Sequence, residues 1–563
     1  MSCNDDFKSS ELQWQSAWRL RKAFSAPSAS GTPKFYNFDS GPFPSGPLHL
    51  GHIRTHVLGD VTARFQRLLG KSVLYSTEWD AFGLPNELGA IHAGVSPAEF
   101  TAHNIQSMRR GMERIGISYD WSRVHSTCDP NYYRWTQWIF LALFRRGLAY
   151  RRRADVPWCD RCQSSLDRLQ TIGDECWRCH SPVSLRSSLG WYIRLSAKSD
   201  FLLNGIELLS GWSSTGRNLL YRGLNVTLDR EGVRAVADWP VSRQRRWGTP
   251  IPIVYCNRCG TVPDDQLPVE LPSGLHESTG NVINDYQKWL QVRCPRCRGD
   301  ATRESETLDC FFDDSWSFLS CSETLSVSDS AFPGNEMARW MPVDRFHSGF
   351  DTFAYLNLYR FMGSVFPSSV NGVSEPIASY MGHDMVLSDG QKMSKHLGNV
   401  VSPAELQDEY GADGLRVTIL WAGAPERSIE WKHVDFGRTK KLFSRISRLV
   451  TKAAPMAQEA HAPCSGLLNY RWNRIARFID EYRPNAAIEE LSLALRQLES
   501  LAESDPRPGV RGRPTNLAKN CHDFLIALSP FAPHLAEELN QRMFGSEALI
   551  AMERWPSGHL SEE

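Results

Sequence analysis

The chain has 563 residues, with 63 Lys+Arg and 63 Asp+Glu. A chain of this length predicts about three to four domains and a large core. The formal net charge of zero excludes a global field that attracts nucleic acid, although a local basic groove would be enough to bind RNA. The N-terminus is polar, so we expect no secretion signal. The chain contains no run of about 18 apolar residues, so we also expect no membrane span. We therefore expect a cytoplasmic protein.

Strands and helices alternate in the first part of the chain. Residues 35–38 and 73–75 have the pattern of short buried strands, and residues 60–69 have the apolar spacing of a helix. The alternation returns at 345–392, and helical spacing continues from 431 to about 544. Strands that alternate with helices predict a parallel α/β sheet, in which ligands bind at the carboxyl ends of the strands.

Two short motifs lie far apart in the chain. Residues 44–52, PSGPLHLGH, predict a tight turn and a helix that carries His49 and His52 on its first turn. The second motif, KMSK, places the ammonium groups of Lys392 and Lys395 on a short loop. A helix N-terminus attracts anions, so the two motifs together could hold a triphosphate from two sides. Taken singly, they are also compatible with ordinary surface or core histidines and a solvated charged turn.

Eight of the 14 cysteines form four Cys-x-x-Cys pairs, which combine into two quartets. The quartets are Cys159, Cys162, Cys176 and Cys179, then Cys256, Cys259, Cys294 and Cys297. Such pairs predict tetrahedral Zn²⁺ sites, and four thiolates leave no open position, so we interpret both sites as structural. Redox cysteines are the alternative for any single pair. A disulfide framework is the weaker interpretation for a long chain without a secretion signal.

Asp80 lies in the run 78–87, EWDAFGLPNE, just after the predicted strand at 73–75. A carboxylate at the carboxyl end of a parallel strand is placed to meet a substrate ammonium group. The alternative is an aspartate that caps the following helix. We find no Ser-His-Asp or Cys-His signature of a protein nucleophile.

The two separated motifs resemble the HIGH and KMSKS signatures of class I aminoacyl-tRNA synthetases, and nearly the whole chain resembles bacterial leucyl-tRNA synthetases. The matching runs are 79–85, 119–122, 176–179, 242–252, 313–316, 410–413 and 530–534. The resemblance implies an α/β fold, with a Rossmann (HUP-type) parallel-sheet catalytic domain, zinc-binding insertions and a following α-helical bundle. It also implies ATP, Mg²⁺, an aminoacyl-adenylate intermediate and transfer to the terminal ribose of a tRNA by a monomeric enzyme.

The resemblance also assigns site residues. Those implied to be catalytic at the ATP phosphates are His49, His52, Lys392 and Lys395. The other implied ATP-binding residues are Gly51, Ser348, Gly349, Asp351, Met385, Val386 and Ser394, with Asp351 at the ribose. The implied amino-acid site comprises Ser40, Gly41, Phe43, Asp80, Thr352 and Leu356, with Asp80 at the amino group.

The same resemblance divides the chain into seven expected parts. They are 1–145, the first half of the Rossmann domain; 146–190, the first zinc module; 191–240, a remnant of the connective insertion; 241–340, the second zinc-containing insertion; 341–400, the second Rossmann half with the KMSKS loop; 401–435, a stem-contact segment; and 436–563, a helical bundle of the anticodon-binding type.

The chain departs from the family pattern in several places. Fewer than fifty residues lie between Trp191 and Asp238, where the family usually inserts an editing domain. The chain stops about thirty residues after Pro533, so we also expect no C-terminal domain that grips the tRNA elbow. The KMSKS loop continues with His-Leu after its second lysine instead of Ser-Lys, which removes one positive charge.

The expected side-chain pocket also differs from the family pattern. Ser40 and Gly41 stand where the family has Met and Leu or Phe, and Thr352 and Leu356 stand where it has two histidines. We therefore predict activation of an amino acid, with leucine not assured. A hydrophobic pocket separates neighbours that differ by one methylene only about 10- to 200-fold, and without editing such errors would persist.

Four hypotheses remain at this point. The first is a leucyl-type enzyme that aminoacylates tRNA for translation or for a tRNA-dependent biosynthetic pathway. The second is an amino-acid ligase whose acceptor is a small molecule or a carrier protein. The third is a resistance copy whose altered pocket refuses an adenylate-like inhibitor, and the fourth is a non-catalytic RNA-binding or regulatory relative. The intact histidine and lysine motifs argue against the fourth, and the helical C-terminal part favours the first over the second.

Overall fold

The structure is a computed structural model of the chain. It describes residues 7–27, 31–166, 170–176, 179–228, 234–272, 283, 286–323, 335–350, 353–366, 375–393, 399–459, 468–504, 517–545 and 548–556. Within these ranges, no helix has both the length and the apolar character that crossing a membrane would require.

The first part of the chain builds two strands of a parallel sheet and the helices around them. Its elements are α1 (Phe7–Leu20), β1 (Lys34–Asp39), α2 (Leu50–Leu68), β2 (Ser72–Ser76), β3 (Glu78–Trp79), α3 (Leu84–Ala93), α4 (Pro97–Arg114), β4 (His125–Ser126) and α5 (Pro130–Arg145). The strands expected at 35–38 and 73–75 are confirmed. The helix expected at 60–69 is confirmed as the second half of α2, which starts directly after His49.

Two insertions follow. The first contains β5 (Ala149–Cys159), β6 (Ser164–Ser165), β7 (Thr171–Ile172), β8 (Glu175–Cys176), β9 (Val183–Ile193), α6 (Ser199–Asn204), α7 (Ser214–Gly223), β10 (Val226–Leu228), β11 (Arg234–Val236) and β12 (Trp239–Pro240). β5 and β9 pair along their whole length as a long antiparallel ribbon. Short helices and the β10–β11 hairpin occupy the described residues between β9 and β12, and this stretch is shorter than a typical separate domain.

The second insertion is built around another small antiparallel sheet. It contains β13 (Ser242–Arg243), β14 (Ile253–Cys256), β15 (Gly260–Pro263), α8 (Gln287–Leu290), β16 (Gln291–Arg293), β17 (Asp300–Arg303), β18 (Thr307–Leu308), α9 (Cys310–Asp314), α10 (Ser317–Ser320) and α11 (Asn335–Trp340). Its central sheet has the order β15–β14–β17–β16. β13 pairs with β18, which brings α9 back toward the parallel sheet.

The chain then returns to the parallel sheet. The elements are β19 (Arg345–Gly349), α12 (Phe353–Val365), β20 (Tyr380–His383), β21 (Val386–Ser388) and β22 (Gln391–Lys392). The sheet order is β2–β1–β19–β20, and all three pairings are parallel. The chain leaves β1 toward β2 on one side and later adds β19 on the other side. This reversal between β1 and β19 opens a crevice at the carboxyl ends of the strands.

The last part of the chain is helical, as expected. It contains α13 (Pro403–Trp421), β23 (Ile429–Glu430), α14 (Phe436–Ala453), α15 (Asn469–Asp480), α16 (Pro484–Ser504), α17 (Leu517–Leu528) and α18 (Pro533–Phe544). β21 pairs with β22 and also with β23. The start of the lysine motif is therefore anchored to the segment that follows α13.

Hydrophobic cores lie on the two faces of the parallel sheet. Phe35, Val73 and Tyr75 belong to the core that includes α2 and the helical bundle. Tyr36 and Leu74 belong to the core that is shared with the insertions. Alternate residues of a strand point to opposite faces, so the sheet is covered on both sides, as parallel sheets are.

Candidate active site

The N-terminus of α2 is capped by its own two histidines. His49 is the N-cap residue, and its Nδ1 accepts hydrogen bonds from the N–H groups of Gly51 (3.1 Å) and His52 (3.4 Å). Nδ1 of His52 accepts a hydrogen bond from the N–H of His49 at 3.3 Å, and the two rings stack with centroids 3.7 Å apart. A neutral imidazole whose Nδ1 accepts carries its proton on Nε2. Both rings can therefore donate from Nε2, at a helix N-terminus that favours anions.

A cavity of about 290 Å³ opens at the carboxyl ends of the parallel strands. Ser40 follows β1 directly, Gly349 ends β19 and His383 ends β20, and all three line the cavity. His49 and His52 line it from the first half of the chain. The cavity therefore lies at the reversal of strand order, where α/β sheets bind their ligands.

Most of the site residues predicted from the sequence line this cavity. They are Ser40, Gly41, Phe43, His49, Gly51, His52, Asp80, Gly349, Met385 and Val386. Ser348 is buried beside the cavity, and its hydroxyl donates to the hydroxyl of Tyr380 at 3.1 Å. Leu356 is fully buried in the core that is shared with the insertions.

The structure describes little of the remaining predicted residues. Asp351, Thr352, Ser394 and Lys395 lie outside the described residues. The backbone of Lys392 pairs with Leu387 in the β21–β22 hairpin, and the structure describes nothing of its side chain.

Three buried carboxyl groups lie at the cavity. Asp80 and Asp314 line it, and the carboxyl group of Glu78 contacts that of Asp314. Burial and the charges of neighbouring carboxylates raise the pKa of Glu78 and Asp80 well above the usual range, and burial raises the pKa of Asp314. The N-cap of α3 is Gly83, so Asp80 is not the cap of that helix.

Arg54 is a buried residue of this region that the sequence did not single out. It lies on α2, one turn after the histidines, and its guanidinium donates to five backbone carbonyls at 2.8–3.2 Å. These carbonyls belong to Asp384, Met385, Ala424, Pro425 and Arg427. Burial lowers its pKa to about 10, so it stays charged at neutral pH. Arg54 therefore ties the histidine helix to the segment that leads into the lysine motif.

Thr55 and His383 make a second link between α2 and the strands. His383 Nδ1 lies 2.9 Å from the carbonyl of Asp384, and its Nε2 lies 2.7 Å from the hydroxyl of Thr55. An Nδ1–H that donates to this carbonyl leaves Nε2 to accept from Thr55, which fixes the ring in one orientation. The sequence signal for both residues was weak, because their partners are more than 300 positions apart.

The two cysteine quartets each bring their thiols together. Within each quartet, the four Sγ atoms all lie within 4.8 Å of one another. In the first quartet, Sγ of Cys159 and Sγ of Cys162 lie 3.4 and 3.6 Å from that of Cys179, and in the second, Cys256 and Cys297 are separated by 3.6 Å. These separations are too long for disulfide bonds and agree with four thiolates around one metal ion.

Comparison with known protein families covers most of the chain. The family described as tRNA synthetases class I (I, L, M and V) matches residues 13–432. The family described as the anticodon-binding domain of tRNA ligase matches residues 467–563.

Several similar sequences are named leucine–tRNA ligases. The leucine–tRNA ligase of Thermotoga maritima is 28% identical over 749 aligned positions, which cover 97% of this chain and 90% of the relative. That of Nitratidesulfovibrio vulgaris is 28% identical over 763 positions, covering 98% of this chain and 91% of the relative. The aligned positions outnumber the 563 residues of this chain, so these relatives carry segments that this chain lacks.

Similar solved structures agree with the fold. The ternary complex of Agrobacterium radiobacter K84 agnB2 LeuRS with tRNA and LeuAMS has a TM-score of 0.90 and 26% identity, and the match covers 98% of this chain and 90% of that one. The methionyl-tRNA synthetase of Mycobacterium tuberculosis in complex with methionyl-adenylate has a TM-score of 0.65 and 18% identity, covering 91% of this chain and 96% of that one. This second likeness concerns the fold alone.

Proposed function

The chain belongs to the class I tRNA synthetases of the I, L, M and V type, and on this premise we propose that it activates an amino acid with ATP and transfers it to tRNA. In the first step, a carboxylate oxygen of the amino acid attacks the α-phosphorus of ATP, and pyrophosphate leaves. In the second step, a hydroxyl of the terminal tRNA ribose attacks the aminoacyl carbonyl, and AMP leaves. The observation that carries this proposal is the cavity at the reversal of strand order, which His49 and His52 line at the start of α2.

The histidine-capped helix supports binding of the ATP phosphates. His49 and His52 offer Nε2–H donors at the positive end of α2, where negative charge on pyrophosphate increases during the reaction. Lys392 and Lys395 would neutralise the same charge from the opposite side. Nucleotidyl transfer needs positioning and charge neutralisation more than a protein nucleophile, and the phosphoryl-transfer enzymes offer the nearest analogy.

The other ligand contacts are proposed as the resemblance implies them. Asp80 would hold the α-ammonium group of the amino acid, since it is a buried carboxylate that lines the cavity. Asp351 would hold the ribose of ATP. The further ATP contacts are Gly51, Ser348, Gly349, Met385, Val386 and Ser394, and the further amino-acid contacts are Ser40, Gly41, Phe43, Thr352 and Leu356.

Metal ions enter the proposal in two ways. Each cysteine quartet fits one structural Zn²⁺, because four thiols converge and leave no position for a substrate. A bound Zn²⁺ would fix the tip of its insertion rather than take part in the reaction. Mg²⁺ would arrive with the ATP phosphates and belongs to the substrate.

The acceptor is proposed to be tRNA because the match to an anticodon-binding domain covers 467–563. This observation favours tRNA over a small molecule or a carrier protein. The seven parts expected from the sequence, a cytoplasmic location and a monomeric state complete the proposal. The names of the relatives make leucine the reference amino acid for any assay.

The experiment is ATP–pyrophosphate exchange with a panel of amino acids, followed by charging of tRNA with the amino acid that supports exchange. Lys395→Ala should lower the exchange rate by at least about 100-fold, as the loss of one charge-stabilising group does in other enzymes. Lys519→Ala is the matched control, since Lys519 pairs with Asp523 on α17, outside the cavity. Exchange at the wild-type rate in Lys395→Ala would refute the phosphate site, and a wild-type chain without any exchange would refute activation.

A further inference from the structure

Glu78 and Asp314 form a pair of buried carboxyl groups beside the cavity. Oε1 of Glu78 accepts a hydrogen bond from the N–H of Gly41 at 3.1 Å, and Oδ2 of Asp314 accepts one from the hydroxyl of Tyr359 at 3.1 Å. The other oxygen of each group, Oε2 of Glu78 and Oδ1 of Asp314, receives no hydrogen bond from an N–H or O–H group in the described part of the chain, and the two carboxyl groups contact each other. Oδ1 of Asp80 also has none. All three side chains belong to residues that are at most 3% exposed.

Several other buried carboxylates among the described residues have cationic partners. Asp60 is paired with Arg64 and Arg416, both at 2.7 Å, and Asp309 is paired with Arg243. Glu78, Asp80 and Asp314 have no such partner among the described residues. Burying a carboxylate without a partner is costly. Asp80 and Asp314 line the cavity and Glu78 contacts Asp314, so the three groups indicate that a positively charged ligand completes the site.

The position of Glu78 depends on Gly41, which stands where the family has Leu or Phe. A Cβ atom added to Gly41 would lie 2.5 Å from Oε1 of Glu78. The Glu78 carboxyl group therefore takes the space that a side chain at position 41 would need. Where the resemblance expects a bulky apolar side chain at position 41, the carboxyl group of Glu78 fills the space.

A single metal ion does not fit the arrangement of the three buried carboxyl groups. The ligand atoms of both cysteine quartets converge to within 4.8 Å of one another, but the oxygens of Glu78, Asp80 and Asp314 do not form such a group in the described residues. Carboxylates whose oxygens do not converge on one point suit an organic ligand with separate positive charges better than one ion.

We infer that Glu78 and Asp314 form a second cation subsite, and that the amino acid activated by this protein carries an ammonium or guanidinium group on its side chain. This inference rests on the proposed function and assigns its substrate class. Asp80 would receive the α-ammonium group, and the Glu78–Asp314 pair would receive the cation of the side chain.

The charges of Glu78 and Asp314 explain why the site should prefer a cationic amino acid over leucine. Two adjacent buried carboxylates cannot both ionise, so we expect Glu78 and Asp314, whose carboxyl groups contact each other, to share one proton in the ligand-free protein. A cationic side chain allows both to ionise, and the shared proton leaves to solvent. Leucine would leave the polar oxygens without a partner, and sites of this kind reject the ligand that lacks the matching group by at least about 1,000-fold in kcat/KM.

The test is ATP–pyrophosphate exchange with 2,4-diaminobutyrate, ornithine, lysine and arginine, compared with leucine and methionine. Exchange with one of the four cationic amino acids at least about 1,000-fold above leucine is the expected result. Exchange with leucine or methionine but with none of the cationic amino acids would overturn the inference and leave the proposed function intact.

Two isosteric variants test the assigned residues. Glu78→Gln and Asp314→Asn should each lower kcat/KM for the cationic amino acid by at least about 100-fold, and KM for ATP should stay unchanged. Removing an unpaired buried charge should not unfold the ligand-free protein, so its melting temperature should stay the same or rise. Glu537→Gln is the matched control, because Glu537 is buried on α18 and accepts a hydrogen bond from Trp18 at 3.0 Å. Unchanged selectivity in Glu78→Gln and Asp314→Asn would refute the subsite.

Binding without ATP separates this inference from the reaction itself. Calorimetry of the same four amino acids, in buffers with different ionisation enthalpies, should show about one more proton released per molecule bound by the wild type than by Glu78→Gln. Binding with proton release but without exchange would refute the proposed activity and keep the subsite. Neither binding nor exchange with a cationic amino acid would overturn the subsite.

Discussion

Replacing Arg54 by lysine keeps a positive charge inside the protein but removes part of its hydrogen bonding. Arg54 donates to five carbonyls of the segments around Asp384 and Pro425, and it is 2% exposed. A lysine ammonium has three donors, so at least two carbonyls lose their partner. The segments that lead into the lysine motif should then be held less firmly against α2.

The size of the effect follows from the number of bonds. A hydrogen bond to a charged group contributes about 1.5–3 kcal/mol, so the loss of two costs about 3–6 kcal/mol. If half of this cost falls on the ordered position of Met385 and Val386, which line the cavity, kcat/KM for ATP should fall by about 10- to 200-fold. The expected change is in KM for ATP and in the rate of adenylate formation, since Asp80 is not moved.

The assay is single-turnover adenylate formation at several ATP concentrations. Arg67→Lys is the control, because Arg67 lies on the same helix and donates to the hydroxyl and carbonyl of Ser118 at 2.7 and 3.0 Å, outside the cavity. It should destabilise the protein without changing KM for ATP. Wild-type kinetics in Arg54→Lys, or an equal loss in both variants, would refute the positioning role of Arg54.

Further predictions concern pH, metal and the amino-acid site. Burial beside Asp413 raises the pKa of Glu11 to about 8, so the stability contributed by the protonated group is complete below its usual value of about 4.5 and falls by about 1.4 kcal/mol per pH unit up to about 8. Glu11→Gln, which can still accept the bond from the Ala412 N–H, should therefore melt above the wild type at pH 8 and converge with it toward pH 5; a constant difference would contradict this sign. Metal analysis should find about two zinc ions per chain and about one in Cys162→Ser, and none in the wild type would refute the structural sites. Asp80→Asn should raise KM for the amino acid by at least about 100-fold and leave KM for ATP unchanged. An unchanged KM for the amino acid would contradict the assignment of Asp80 to the α-ammonium group.

The local patterns of the sequence predicted the scaffold of the site. The short run of strand-forming residues around Tyr36 and Phe38 and the turn before His49 are short-range features, so they were visible without the structure. The cysteine quartets were equally visible, because pairs of Cys-x-x-Cys have few other uses. These features place the sheet, the helix N-terminus and the two expected metal sites.

The groups that distinguish this cavity depend on contacts between distant parts of the chain. Glu78 meets Asp314 across more than 200 positions, and no local pattern shows that two acidic residues without a cation will touch. Arg54 gave only a weak signal as one of several polar residues on α2, and its acceptors are backbone carbonyls that carry no sequence information. Leu356 is fully buried in the core that is shared with the insertions, which its aligned position in the expected amino-acid pocket did not indicate.

The most direct test of the central claim is exchange of labelled pyrophosphate into ATP, measured with each amino acid of the panel and followed by charging of tRNA with the active one. The account expects exchange with at least one amino acid, strongest for a cationic side chain, and a stable aminoacyl ester on tRNA afterwards. An absence of exchange with every amino acid, in protein that is folded and binds ATP, would contradict the assignment of this cavity as the site of amino-acid activation.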